Sequence, residues 1–287
     1  VRRTLRPLDR MEGDATRIAA GDLSRRVEPA NDRTEVGRLG LALNQMLGEI
    51  ESSFAARRAS EERLRRFVAD ASHELRTPLS SIRGYAELFR RGASERPEDL
   101  DVTMRRIEDE AARMGVLVDD LLLLARLDEG GPTFARERVD LAAIVHDACA
   151  DARARAPERT VTCDAAGHVV VTGDEDRLRQ VAANLVGNPL AHTPTDSPVT
   201  IRALVVDGRA QLEVADRGPG IPEADLPSIF DRFWRADKSR DRSTGGAGLG
   251  LSIVAAIVEG HGGTVSAENV EGGGARFVAS FPLQETI

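Results

Sequence analysis

His73 lies in a stretch with helical periodicity, with Glu74 directly after it and Thr77 four residues on. A neutral imidazole is a good nucleophile, and a neighbouring carboxylate can take or hold its ring proton. A hydroxyl at i+4 shares the same helix face. Counting Leu75 as heptad position a puts His73 at f, the outward face, whereas a core histidine would sit at a or d. A lone exposed histidine is most often just a solvated side chain, so its surroundings must decide.

A second group of residues suits a nucleotide. Asn184 and Asn188 are four apart on one predicted helix face, and amide oxygens suit a hard cation that also holds phosphates. Asp216-Arg217-Gly218-Pro219-Gly220 follows a predicted strand; glycine there permits close backbone approach, although such a string alone is often only a turn. Gly245-Gly246-Ala247-Gly248-Leu249-Gly250-Leu251 opens an apolar helix, and backbone donors at a glycine-rich helix start form an anion site. It lacks the Gly-Lys-Ser/Thr of a Walker loop and the preceding strand of a Rossmann fingerprint. Ile229-Phe230-Asp231-Arg232-Phe233-Trp234-Arg235 precedes a polar, basic stretch with Lys238, Arg240 and Arg242, the composition expected of a lid over phosphates.

These residues need elements to position them. Leu8, Met11, Ala15 and Ile18, and then Val36, Leu39, Leu43, Met46 and Ile50, recur at helical spacing. They predict two short amphipathic helices with a polar connector. Leu64, Val68, Ala71, Leu75, Pro78, Ile82, Tyr85 and Phe89 alternate steps of four and three, as do Leu100, Met104, Ile107, Ala111, Met114, Val118, Leu121 and Ala125. Two such helices with a turn-rich break at residues 92–97 predict an antiparallel hairpin, which covers its seam by dimerising into a four-helix bundle. Pro78 predicts a local kink. Gly130-Gly131-Pro132 reads as a hinge. Beyond it, strands are expected at 161–163, 169–172, 199–206, 211–215, 264–267 and 276–281, with helices at 141–155, 174 to about 188, and 249–259. The fold class expected is therefore multidomain: helical hairpins followed by an α+β sandwich. Pro189 should end or kink its helix at Asn188, because proline removes a helical donor and disfavours helical dihedrals in the residue before it.

Composition narrows the function classes. With 287 residues the chain exceeds the roughly 100–200 of a single domain. A net charge of −8 and 3% aromatics give no footprint for direct nucleic-acid binding. Cys149 and Cys163 fit no zinc or redox spacing motif and read as free thiols. No apolar run approaches the ~18 residues of a membrane span. The basic start, Arg2-Arg3-Thr4-Leu5-Arg6, is of the kind that crowds cytoplasmic ends of membrane helices; on these residues alone an upstream membrane segment outside this chain and an arbitrary boundary fit equally well.

Phe67-Val68-Ala69-Asp70-Ala71-Ser72-His73-Glu74-Leu75-Arg76-Thr77-Pro78-Leu79 closely resembles the H-box of bacterial sensor histidine kinases. Residues 184–188 resemble that family's N-box, residues 216–220 its first glycine box, residues 229–235 its F-box and residues 245–251 its second glycine box. Pro7, Gly21-Asp22-Leu23 and Glu35-Val36-Gly37 resemble a HAMP relay module, with Thr34-Glu35 in place of the usual Asp-Glu. The resemblance implies a HAMP-like module at 1–54, a dimerisation and phosphotransfer hairpin at 55–129, and an ATP-binding catalytic domain at 130–287. It implies His73 as the phosphorylated residue, Glu74 as base and Thr77 as the residue that positions water for regulator dephosphorylation. It further implies ATP bound by Asn184, Asn188, His192, Asp216, Gly218, Gly220, Arg235, Lys238, Gly246, Gly248, Leu249 and Gly250, with Mg²⁺ on Asn188. The implied partners are a response regulator and a second copy of the chain, and the implied place is the cytoplasmic face of the bacterial inner membrane. Ala191 stands where the family often has Lys or Arg, and Pro189 where a small helix former is usual. Two other readings fit some of the residues: a signalling scaffold that binds ATP weakly, and an ATPase of the chaperone type, whose fold uses related glycine boxes.

Overall fold

The structure, a computed structural model, describes residues 2–20, 22, 24–90, 97–128, 134–165, 167–235 and 247–283. It divides into two compact units, Val1–Asp70 and Ala71–Ile287. Gly21, Leu23, residues 92–96 of the predicted break and the 130–132 hinge lie outside the described residues.

In the first unit, α1 (Arg2–Ala19) and the start of α2 (Glu35–Arg90) bury Met11, Val27 and Leu47, with Ile18, Val36 and Leu43 against them. Side chains of both helices hold the connector: Asn44 accepts from Val27 N at 2.7 Å and donates to its carbonyl at 3.0 Å, and Asp14 accepts from Arg25 at 2.8 Å. Thr34 caps α2, its hydroxyl accepting from Gly37 N at 3.0 Å. Thr34 thus serves as the N-cap acceptor where the family's Asp would stand. The two helices expected at 36–50 and 64–89 are one continuous 56-residue helix. Between Glu49 and Thr77 there is no glycine or proline to stop it. Helix α2 also runs unbroken through Pro78. The carbonyl that proline leaves without a helical donor is that of Glu74, while Ser80 and Ser81 donate to the carbonyls of Arg76 and Thr77 nearby.

In the second unit, α3 (Pro97–Asp128) follows α2. Its last turns are not confined to a hairpin seam. Leu117, Leu123 and Leu124 belong to the same buried cluster as the sheet domain, α3 touches α6, and Leu75 packs against this cluster. The sheet domain contains β1 (Glu137–Asp140), α4 (Leu141–Arg155), β2 (Val161–Asp164), β3 (Val170–Gly173), α5 (Glu175–His192), β4 (Val199–Val206), β5 (Arg209–Asp216), α6 (Gly250–Gly260), β6 (Thr264–Asn269) and β7 (Ala275–Pro282). Five strands pair in the order β2-β4-β5-β7-β6, with β2 parallel to β4 and the other pairs antiparallel; β1 pairs antiparallel with β3. Alternate residues of β4 and β7 are buried, among them Val199, Ile201, Phe277 and Phe281. The opposite face carries a ladder of charges across the sheet: Asp164, Arg202, Glu213, Arg276 and Glu268, each ion-paired to the next. Helical hairpins followed by an α+β sandwich are the architecture the sequence predicts. Among the described residues no helix is long and apolar enough to cross a membrane.

Pro189 does not end α5 at Asn188. The helix continues to His192, and Thr193 caps it. Proline at this position leaves the Leu185 carbonyl without its helical donor, but the helix end beyond it is held from outside. Arg159, 6% exposed, donates to the carbonyls of Pro189, Thr193 and Pro194 and to the Thr193 hydroxyl. Thr193 adds its own backbone and hydroxyl donors to the Pro189 carbonyl, at 3.1 and 2.8 Å. A cation at the negative end of the helix dipole fixes the last turn.

Helix α3 also meets α5 through polar groups. Gln180 Nε2 donates to Asp120 at 3.3 Å and Gln180 Oε1 accepts from Arg177 at 2.9 Å. Burial, and then Asp119, push the Asp120 carboxyl up to about 6. A folded-state pKa above the ordinary unfolded value of about 3.9 gives stability that is complete below that value and lost as pH rises to about 6. Asp120 is half-buried, so solvent screening limits the effect to about 1 kcal/mol. Asp120→Asn should therefore flatten the dependence of the denaturant midpoint on pH between 4 and 6, followed by fluorescence of Trp234, the chain's single tryptophan. An unchanged slope would show that this carboxyl does not gain its proton on folding.

Candidate functional site

His73 is exposed on α2, while Leu75, two residues on, is half-buried against the core. That is the division heptad spacing demands. Glu74 and Thr77 are half-buried beside it. The Thr77 hydroxyl points back along the helix and lies 3.4 Å from the His73 carbonyl. This face of α2 therefore presents an imidazole, a carboxylate and a hydroxyl within one turn.

The second set of residues converges around the C-terminal end of β5 and the N-terminal end of α6. Asp216, 5% exposed, ends β5. Its Oδ1 accepts from Gly218 N at 2.8 Å and Ala275 N at 3.3 Å. Its Oδ2 has no hydrogen-bond partner among the described residues, and a buried acceptor left open is uncommon and calls for a donor. A Cβ on Gly218 would sit 2.6 Å from Thr193 Cγ2 and 3.0 Å from Asp216 Oδ1, so only a bare backbone fits beside the carboxylate. Gly220 has φ +76°, and its loop is clamped by Asn269, which accepts from Ile221 N and donates to the Ile221 carbonyl, both at 2.7 Å.

Asn184, half-buried on α5, donates to the Gly250 carbonyl at 3.3 Å and so faces the first turn of α6. Gly248 has φ +72°, and a Cβ there would meet the Trp234 carbonyl oxygen at 2.8 Å. The glycine turn thus lies directly on the Phe233-Trp234 backbone. Leu249 is 1% exposed and anchors the helix start, its carbonyl accepting from Ile253 N and the Ser252 hydroxyl. Asn188 is half-buried on the following turn of α5.

His192 closes α5. Its ring reaches solvent, yet enough protein surrounds it that desolvation, the larger effect, and then the Arg235 charge lower its pKa. The Arg235 charge is thus felt at His192. Lys238 and Gly246 lie outside the described residues.

The structure brings Asp216, Gly218, Gly220 and Thr193 together at one place and Asn184 with Gly250 at another, and the Arg235 charge reaches His192. Arg159, Thr193 and Asn269 are missed by sequence reasoning. Each works through hydrogen bonds to residues 30 to 48 positions away in the chain, and no local pattern signals them. Among the described residues no group of three His, Cys, Asp or Glu side chains is arranged to hold a metal ion. A hard cation here would depend on amide oxygen, such as that of Asn188, together with ligand phosphates and water. The site's chemistry fits a nucleotide: an open buried acceptor for an amino group, a bare-backbone wall, and a glycine-rich helix start for phosphate.

Three family models match the chain: the HAMP domain over residues 1–52, the His Kinase A (phospho-acceptor) domain over 63–130, and the Histidine kinase-, DNA gyrase B-, and HSP90-like ATPase over 173–285. The probable sensor histidine kinase TcrY of Mycobacterium tuberculosis is 45% identical over 282 residues, covering 95% of this chain and 59% of the relative. The signal transduction histidine-protein kinase BaeS of Escherichia coli is 34% identical over 99% of this chain and 59% of its own. The chain thus spans a little over half the length of these curated relatives. Full-length ShkA, solved in complex with AMPPNP, is 27% identical with a TM-score of 0.57, over 77% of this chain and 46% of that one.

Removing the cation beside His192 tests the arrangement directly. Arg235→Gln should raise the His192 pKa towards its ordinary value, because one source of repulsion for the imidazolium is gone while the desolvation remains. NMR titration of the histidine ring protons reads this, and an unchanged His192 curve would separate the two side chains.

Proposed function

The chain belongs to the sensor histidine kinase family, and from that premise we propose that it uses ATP to phosphorylate itself on His73 and passes the phosphoryl group to an aspartate of a response regulator. The observation that carries the ATP half of this reading is the buried Asp216 carboxylate, with one oxygen held by Gly218 and Ala275 and the other open. An adenine amino group is the donor it suits. Gly218, Gly220 and Thr193 would flank the base. Asn184, Gly248, Leu249 and Gly250 would present the helix start to the phosphates, with His192, Arg235, Lys238 and Gly246 completing the cleft. Mg²⁺, when bound, would neutralise phosphate charge, with Asn188 as its protein ligand. The AMPPNP complex of ShkA supports a nucleotide site on this fold.

In the transfer, a ring nitrogen of His73 forms a bond to the γ-phosphorus as the bond to the ADP oxygen breaks. Glu74 takes or holds the proton of the other ring nitrogen, keeping the attacking one neutral. Because phosphoryl transfer needs positioning and charge stabilisation more than covalent help from the protein, the exposure of His73 is an asset: its site must admit first the nucleotide and then the regulator. Thr77, one turn along, would orient a water for dephosphorylation of the bound regulator.

Exposed apolar side chains on the long helices support a homodimer. Val68, Leu79, Leu88, Val116 and Leu122 are each more than half exposed in the single chain, and Leu39 and Met46 nearly so. Apolar side chains left facing water along long helices favour a partner that covers them. A second copy would cover those of the predicted 1–54 relay and 55–129 hairpin, leaving residues 130–287 as the catalytic domain. The HAMP match and the greater length of the relatives support placement at the cytoplasmic face of a membrane, as part of a longer protein.

Incubation of the full chain with γ-labelled ATP and Mg²⁺ tests the central step. The expected product carries acid-labile, base-stable label, and His73→Gln should lose it entirely while still binding nucleotide. Undiminished label on the variant would refute His73 as acceptor. Release of free phosphate without labelled protein would favour an ATPase of the chaperone type.

A further inference from the structure

The chain has two cysteines, 14 positions apart, Cys149 on α4 and Cys163 on β2. On α4, residues 145, 149 and 153 follow one another at one-turn spacing and so share a face. That face lies against β2. Arg153 donates to the Val161 carbonyl at 3.3 and 3.0 Å, and Cys163 Sγ lies 3.9 Å from the Val145 carbonyl oxygen. Val161 and Cys163, two apart on the strand, point to the same side. Cys149 lies between these two contacts, on the face of α4 that covers Val161 and Cys163. A third group completes the arrangement: His146 Nδ1 is 3.6 Å from Cys163 Sγ. Cys149 is fully buried, Cys163 is half-buried and His146 is exposed.

We propose that Cys163 and Cys149 form a dithiol site, served by His146, that a peroxide oxidises reversibly to an intramolecular disulfide. Cys163 is the thiol that oxidant can reach. With its own proton on Nε2, His146 offers Nδ1 as acceptor for the Cys163 proton, and the thiolate attacks one peroxide oxygen. The O–O bond breaks, Cys163 becomes a sulfenic acid, and the departing hydroxide takes up the proton to leave as water. Cys149 then attacks the Cys163 sulfur. The S–S bond forms, the sulfenic hydroxyl leaves with the Cys149 proton as a second water, and the sum is two thiols plus hydrogen peroxide giving one disulfide and two waters. Burial, and then the neighbouring Cys163, push the Cys149 thiol up to about 12. It therefore stays protonated and inert to external oxidant, and it attacks only as its proton passes to the sulfenic hydroxyl that leaves. The same three side chains do not make a metal site: among the described residues no cluster of His, Cys, Asp or Glu is arranged for one. Neither cysteine takes part in the nucleotide chemistry proposed above.

The test uses the full reduced chain, hydrogen peroxide near pH 7, rapid alkylation and mass spectrometry. The expected product has lost two hydrogens, resists alkylation at both sites, yields a Cys149–Cys163 linked peptide, and regains both thiols with dithiothreitol. Cys163→Ser, at a half-buried position, should fold normally and leave Cys149 reduced. Cys149→Ser should stop at a sulfenic acid on Cys163 that dimedone traps, and His146→Gln should slow the first step several-fold. The proposal is overturned if both thiols stay alkylatable, if Cys163 over-oxidises to sulfinic acid while Cys149 remains free, or if the disulfide links two chains.

Discussion

Asp216 closes β5 with a carboxylate that is almost wholly buried, and an anion in that position is tolerated only where hydrogen bonds replace water. Two backbone donors supply one side of it, from Gly218 in the loop after its own strand and from Ala275 at the start of β7. The same carboxylate therefore ties two neighbouring strands of the sheet together and bends the chain between them. Residues around it must be small or turned away: Gly218 faces Thr193, and the loop beyond is fixed by the side chain of Asn269. What remains is a single unfilled acceptor in a wall of bare backbone. A structural role alone would satisfy both oxygens, and the open one is the strongest reason to see a ligand site here.

The opposite wall is set by α5, and its precision comes from its end. Arg159 reaches across to the last turn and to Thr193 and Pro194, so the segment that touches Gly218 is held by the same guanidinium that finishes the helix. The helix therefore runs past the proline next to Asn188 to an end whose own carbonyls are satisfied by Arg159 and Thr193. The ordered turn leaves Asn184 against the α6 start and His192 near Arg235. On the other side α3 sends Leu123 and Leu124 into the core of this domain. The helix continuing the phospho-acceptor region thus shares packing with the elements that frame the nucleotide site, a physical route by which a change in one can be felt by the other.

Much of this was legible in the chain because its signals are local. The helix over 141–155 has apolar spacing with Asp140 as its cap, and the strand over 199–206 alternates apolar and polar residues; both occur where expected. The exposure of His73 followed from counting heptads. What sequence could not show depends on distant partners. Strand β1, Glu-Arg-Val-Asp, has too little apolar content to announce itself and exists because β3 pairs with it. The end of α5 past Pro189 is capped by Arg159, 30 residues away, and the sharing of the α3 end with the sheet domain needs a tertiary contact. The continuity of α2 is a different case: the stretch from 49 to 77 lacks any breaker, and that absence was readable. The proximity of Cys149 and Cys163 follows only from laying α4 on β2.

If Asp216 is the purine anchor, the account is tested most directly by comparing ATP with ITP in calorimetric titrations of the full chain. The two nucleotides differ where adenine carries an amino donor and hypoxanthine a carbonyl acceptor. A buried carboxylate facing that acceptor is left unpaired, which costs on the order of 10²-fold in affinity. The account predicts that ATP binds tighter by about that factor, and that Asp216→Asn, whose amide can donate as well as accept, narrows the gap. Equal affinities for ATP and ITP in the unaltered chain would contradict it.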